Sequence, residues 1–114
     1  MLPEDLRDLA QEVWNLPVTD VYSSEEFGNI ALQCPAHADN YHIQAENLLV
    51  EIVDDSGAPC TPGEIGRVLV STLHNFTMPL LRYEIGDYAQ AGAACACGRG
   101  LPVIRRIVGR RRNM

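Results

Sequence analysis

No lysine occurs among the 114 residues. A phosphate-cradling loop ending in Lys, a Schiff-base enzyme and a Lys general base are therefore excluded within this chain. Aromatic residues are sparse at 6%, and no apolar run approaches the roughly 20 residues that a membrane helix needs. The opening Met1-Leu2-Pro3-Glu4-Asp5 lacks the basic start of a signal peptide, so the expected compartment is the cytosol, with no membrane partner. Acid is missing from one stretch only. Residues 99–114 hold six Arg and no Asp or Glu, a net +6, whereas residues 1–98 hold three Arg and all fifteen acids, a net −12. The total of −6 repels nucleic acid. Ile104, Ile107 and Val108 interleave with the Arg residues, so the basic end reads as a strand and turn rather than as a nucleic-acid tail.

What is present fits one modest domain, residues 1–114. Apolar residues at 46% and charged residues at 21% are ordinary for a globular chain. A chain of this length buries roughly two-thirds of its unfolded surface, enough for a single core.

The spacing of Leu6, Leu9, Ala10, Val13 and Trp14 predicts a helix over 3–15, with acids in its first turn and Pro17 beyond its end. Strands are expected over 18–22, 29–33, 41–54, 66–73, 80–88 and 102–108, separated by Gly-, Pro- and Asp-rich turns. The stretch 41–54 reads as one long strand or hairpin arm, because its continuous apolar character suggests burial on both faces. The expected fold class is α+β: an N-terminal helix leading into a mostly antiparallel β unit of about six strands, a sheet or a distorted barrel. The sequence stops directly after a strand and the Gly109-Arg110 turn, so it reads as part of something longer.

Three segments carry chemistry. In Tyr22-Ser23-Ser24-Glu25-Glu26-Phe27-Gly28 a strand delivers an aromatic ring, two hydroxyls and two carboxylates into a turn. That set can stack a base and hold a hard cation such as Mg²⁺. It also reads as a plain polar turn with a capping Ser, which spacing alone favours. In Arg82-Tyr83-Glu84-Ile85-Gly86-Asp87 an Asp follows Gly at a strand end, where it can accept hydrogen bonds from a vicinal diol or satisfy its own backbone.

The third set comprises Cys34, Cys60, Cys95 and Cys97 with His37, His42 and His74. Cys95-Ala96-Cys97-Gly98 places two thiols one residue apart in a Gly turn, a chelating arrangement. A third Cys and one His would close a tetrahedral Zn²⁺ site, with Cys34 the expected thiol and His37 and His42 competing for the fourth place. Small buried apolar groups are the other role open to these cysteines. Cys60 reads as a bystander and His74 as structural.

In order, Tyr22-Ser23-Ser24-Glu25-Glu26, Pro62-Gly63-Glu64-Ile65-Gly66-Arg67-Val68, Arg82-Tyr83-Glu84-Ile85-Gly86-Asp87 and Gly109-Arg110 resemble the adenylate-forming acyl-CoA synthetases. The phenylacetate–coenzyme A ligase branch is the most similar, through Gln33-Cys34-Pro35, Tyr41-His42-Ile43, Met78-Pro79-Leu80-Leu81-Arg82-Tyr83 and Cys95-Ala96-Cys97-Gly98-Arg99-Gly100. The resemblance runs from about Leu6 to Met114. It implies the last, β-rich part of a large AMP-binding domain, in an enzyme that activates a small-molecule carboxylate with ATP and passes the acyl group to CoA. Carried over by position, Tyr22 lies against the adenine, with Ser23 beside it. Glu26 holds Mg²⁺ and is the one catalytic assignment; Asp87 binds the ribose, and Arg110 reaches the ribose or phosphate. Cys34, His42, Cys95 and Cys97 match positions for a structural Zn²⁺.

Three departures stand out. Ser23 and Glu25 occupy the places of the family's usual small residue and hydroxyl, which leaves Glu25 as a rival to Glu26. Ile85 stands near a usual Thr, and Arg112 stands where an Asp often forms the hinge between domains. The family's phosphate loop, and its small domain with the adenylating Lys, lie outside these residues. The expectation is a ligase fragment that does not catalyse alone. The alternative is a stand-alone, zinc-stabilised binding module whose basic C-terminal end meets an anionic partner. An apolar face left uncovered would favour a homodimer.

Overall fold

The computed structural model describes residues 3–110; Arg111, the proposed hinge position Arg112 and residues 113–114 of the basic end lie outside the described residues. Helix α1 (Glu4–Trp14) begins with Glu4 and Asp5, whose charges suit the positive end of the helix dipole. It ends where Asn15 adopts a left-handed φ of 53° and its N–H bonds the Gln11 carbonyl at 2.9 Å. The apolar stripe is present but largely unburied: Ala10 is buried, while Leu6, Leu9, Val13 and Trp14 are each more than half exposed. The helix is anchored instead by Arg7, whose guanidinium donates to the Val18 carbonyl at 3.1 Å and to Gln33 Oε1 at 2.7 Å.

Seven strands follow: β1 (Val21–Ser24), β2 (Gly28–Gln33), β3 (Tyr41–Ile43), β4 (Leu48–Val53), β5 (Ile65–Thr72), β6 (Tyr83–Ala91) and β7 (Val103–Arg110). They form one antiparallel sheet in the order β1-β2-β3-β7-β6-β5-β4, which does not close into a barrel. The helix and the α+β class are as expected. The expected strand over 41–54 is corrected to two strands. Gln44–Asn47 form a turn in which the Asn47 and Leu48 amides bond the Gln44 carbonyl at 3.0 Å. The apolar residues on either side hid the polar break, and burial on both faces holds for β3 but not for β4, where Leu49 is exposed. β3 lies between β2 and β7, whereas β4 is an edge strand paired to β5 alone.

The order of strands divides the sheet. β1, β2 and β3 are consecutive hairpin strands, and so are β4, β5 and β6. β7 pairs with β6, and the ladder joins the two groups where β3 pairs with β7. There Tyr41 faces Ile104, His42 faces Val103, and the Ile43 amide bonds the Pro102 carbonyl at 2.9 Å. This seam is the shortest ladder of the sheet, and ladder hydrogen bonds alone hold it weakly.

The sheet also curls. On a flat sheet β1 and β6, four strand spacings apart, would be separated by about 19 Å. Yet Tyr22 on β1 donates a 2.6 Å hydrogen bond to Asp87 on β6. Register shifts between Tyr22 and Ser23, between Arg67 and Leu69 and at two places between β6 and β7 supply the bending. Tyr22, Ile30, Tyr41, Val68, Val70, Ile85, Ala89 and Ile104 form the core inside the curl.

Candidate functional site

At one end of the seam four metal-ligating side chains converge. Cys34 follows β2, and its amide bonds the Asn40 carbonyl at 2.8 Å, closing the β2–β3 connection. His42 lies in β3, and Cys95 and Cys97 lie in the loop between β6 and β7. Their ligand atoms all fall within 4.8 Å of one another. Cys95 Sγ is 3.9 Å from Cys34 Sγ, and Cys97 Sγ is 3.3 Å from His42 Nε2. A tetrahedral zinc with bonds of about 2.3 Å to sulfur and about 2.0–2.1 Å to nitrogen has edges near 3.8 Å (S–S) and 3.5 Å (S–N). The two observed separations fall either side of those edges, so the donor set fits a tetrahedral ion of zinc's size.

Three further observations bear on this cluster. Cys34 and His42 are buried, and the other ring nitrogen of His42, Nδ1, is buried without a hydrogen-bond partner. All four cysteines are free thiols. The Cys97 amide, and then the Asn40 side chain, bring the Cys95 thiol down to about 7 by hydrogen bonding its thiolate, the form that ligates metal. Of the rival histidines, His42 is brought to the cluster and His37 is not. Cys60 stands apart from it, with a thiol pushed up by burial. His74 Nε2 sits 2.9 Å from the Glu46 carbonyl oxygen, a contact within the fold.

At the far end of β7 the hard ligands gather; Asp87 is not at a strand end as expected but in the middle of β6, paired with Arg110. Ile85, Asp87 and Ala89 form the inward row of β6, so Asp87 is a carboxylate in a core position, 8% exposed. Gly86, with φ +88°, supplies the left-handed backbone that only glycine adopts freely, and the Arg110 side chain lies near it. Burying a carboxylate is costly unless it is paired. Here the Tyr22 hydroxyl donates to Oδ2 at 2.6 Å, and Arg110 Nε lies 3.4 Å from Oδ1 while its Nη1 donates to the Ile85 carbonyl at 3.2 Å. Burial, and then the hydrogen bond to Asp87, raise the Tyr22 hydroxyl above its usual pKa. Tyr22 is 9% exposed, its ring part of the core.

Ser23, Glu25, Glu26 and Arg110 line an open cleft beside this trio. Phe27, next in the turn, packs against Tyr83 at the start of β6 with ring centroids 5.9 Å apart. The residues expected at the adenine, ribose and Mg²⁺ (Tyr22, Ser23, Glu26, Asp87 and Arg110) thus meet at one corner. Both Glu25 and Glu26 face the cleft.

Sequence reasoning missed several polar contacts that tie the fold together. Arg82 has a left-handed φ of 46°, held by its Nε on Glu51 at 3.0 Å and its amide on Ser71 Oγ at 2.8 Å. Tyr41 donates to Asp20 at 2.8 Å, and the Gln33 side chain accepts from Arg7 and the Asp20 amide. These partners are separated by up to 31 residues, beyond the reach of any local pattern.

No family model matches the chain. Over 97% of its length it is 34% identical to a phenylacetate-coenzyme A ligase from Thermus thermophilus. The chain spans about a quarter, 26%, of that relative's length. This similarity bears out the resemblance drawn from the four ordered motifs. Among the described residues, no helix is long and apolar enough to cross a membrane.

Proposed function

We propose that the chain is part of an AMP-forming carboxylate–coenzyme A ligase and supplies its nucleotide-side residues. The convergence of Tyr22, Ser23, Glu26, Asp87 and Arg110 from β1, β6, β7 and one turn carries this reading. A carboxylate accepts about four hydrogen bonds, so Asp87 can keep Tyr22 and Arg110 and still bind two ribose hydroxyls. Arg110 spans Asp87 and the cleft and meets ribose or phosphate. Glu26 holds Mg²⁺ near the phosphates, since Mg²⁺ prefers one or two carboxylates plus phosphate oxygens. Tyr22, its ring held in the core rather than free to stack on the adenine, fixes Asp87 through its hydroxyl. Cys34, His42, Cys95 and Cys97 hold a structural Zn²⁺, whose chemistry is to fold the loop around it rather than to react.

Catalysis in this class needs groups converging from more than one domain. The isolated chain is therefore expected to bind ATP weakly and to form no acyl adenylate. A pyrophosphate-release assay with MgATP and an aryl or alkyl carboxylate checks this. Release above background would overturn the expectation that the chain does not act alone, and an absence of any nucleotide-induced shift at Asp87 in an NMR titration would overturn the nucleotide-side reading.

A further inference from the structure

We propose that the Cys34–His42–Cys95–Cys97 centre is a positioning device for the nucleotide corner, acting across the seam between the two halves of the sheet. This rests on the zinc assignment above and deepens it. The centre takes two ligands from each side: Cys34 and His42 from the β2–β3 connection and β3, Cys95 and Cys97 from the β6–β7 loop. The nucleotide corner is divided in the same way, with Tyr22, Ser23 and Glu26 on the β1 side and Asp87 and Arg110 on β6 and β7.

Between them the seam is narrow. It consists of the pairing of Tyr41 with Ile104 and of His42 with Val103, the Ile43–Pro102 hydrogen bond, an exposed Asp39–Arg105 ion pair at 3.6 Å and the apolar core beneath. His42 is both a ligand and a residue of the ladder. β7 runs from Val103 beside His42 to Arg110 at the nucleotide corner, about 23 Å of extended strand. A metal at one end fixes the angle between the halves, and so the distance over which Tyr22 must reach Asp87 at the other. Without it the shared apolar core, the Ile43–Pro102 hydrogen bond, a two-residue ladder and one exposed ion pair resist hinge motion about the seam. The ladder and ion pair add little to the core's hold.

Coupling of this kind is reciprocal. Loosening the far pin must weaken the metal. The test is zinc affinity of the full chain, measured by competition with a chromophoric chelator. Tyr22→Phe removes only the hydroxyl on Asp87. Val68→Ala truncates a core side chain within β5, inside one half, and serves as the control for general loss of stability.

The expected result is that Tyr22→Phe weakens zinc about fivefold more than Val68→Ala does at equal loss of stability. Equal effects would overturn the coupling and leave the metal reading standing. Absence of bound zinc by elemental analysis would overturn both. A second measurement uses amide exchange. His42→Ala is expected to lose zinc and to raise exchange at Tyr22 and Asp87 more than at Val68 and Val70. His42→Cys, which keeps a four-ligand set, is expected to restore both. Unchanged protection at Tyr22 and Asp87 in His42→Ala, or a uniform rise throughout the sheet, would overturn the proposal.

Discussion

The two ends of the seam are built on opposite principles. At the soft end, four ligand atoms lie within 4.8 Å of one another, with hydrogen bonds from the Cys97 amide and the Asn40 side chain to Cys95, and the buried His42 Nδ1 has no partner. Such a cluster has the donors to hold a metal ion. At the hard end, the buried Asp87 already has a tyrosine hydroxyl and a guanidinium, and the corner is satisfied before any ligand arrives. The first end should depend on its ion for shape. The second should keep its shape when empty and lend its spare lone pairs to a ligand. Polar groups in one curled sheet can thus serve as a socket for an ion or as a self-supporting clasp.

The largest effect expected is on metal removal. Chelation, or His42→Ala, should lower the melting midpoint by more than about 10 °C, given that each 1 kcal/mol shifts a domain of this size by about 4–8 °C. Melting curves read beside elemental analysis check this. An unchanged curve would break the contrast, because the soft end would then be as self-supporting as the hard one.

Next is Tyr22→Phe, which leaves a buried carboxylate short of one donor and should cost about 1–3 kcal/mol in urea unfolding. Glu26→Gln, in the open cleft, should leave stability unchanged, and a comparable loss there would mean that the cleft is structural.

A smaller effect separates the two carboxylates. Glu26→Gln should weaken Mg²⁺-dependent nucleotide binding about tenfold, as expected for loss of one charge-assisted contact, while Glu25→Gln should change it little. Titration calorimetry with and without Mg²⁺ reads this, and the reverse order would assign the metal to Glu25.

The smallest effect lies in alkali. Burial and the bond to Asp87 raise the Tyr22 hydroxyl above the ordinary tyrosine value of 10.0. The folded state therefore holds this proton more tightly than the unfolded one. That stability is present in full below pH 10 and is lost as pH rises, by about 1.4 kcal/mol per unit until the folded hydroxyl titrates. Burial and the bond to Asp20 raise Tyr41 too, so Tyr22→Phe should reduce the alkaline slope of the urea midpoint without abolishing it.

Much of this was legible in the residues. Periodicity placed the helix and most strands, because side-chain alternation and helical spacing are local properties. The chelating Cys95-Ala96-Cys97 pair was legible because both thiols lie in one turn. Spacing alone could not separate His42 from His37; the family resemblance favoured His42, and the fold brings His42 to the cluster. The break at Gln44–Asn47 was hidden by apolar residues on both sides of it. The uncovered face of α1 was equally invisible, because an amphipathic stripe states what a helix can bury and not whether anything lies against it.

By itself the sequence determined which chemistries this chain can hold: no lysine chemistry, a soft ligand set, and two acidic motifs in family order. These follow from residue types and short spacings, which the backbone preserves in any fold. The tertiary structure alone decided that Asp87 is a buried, clasped carboxylate, and that both candidate sites straddle one narrow seam. The physical reason is reach. Tyr22 and Asp87 are 65 residues apart and Cys34 and Cys95 are 61 apart, and only the curl of the sheet brings each pair within bonding distance.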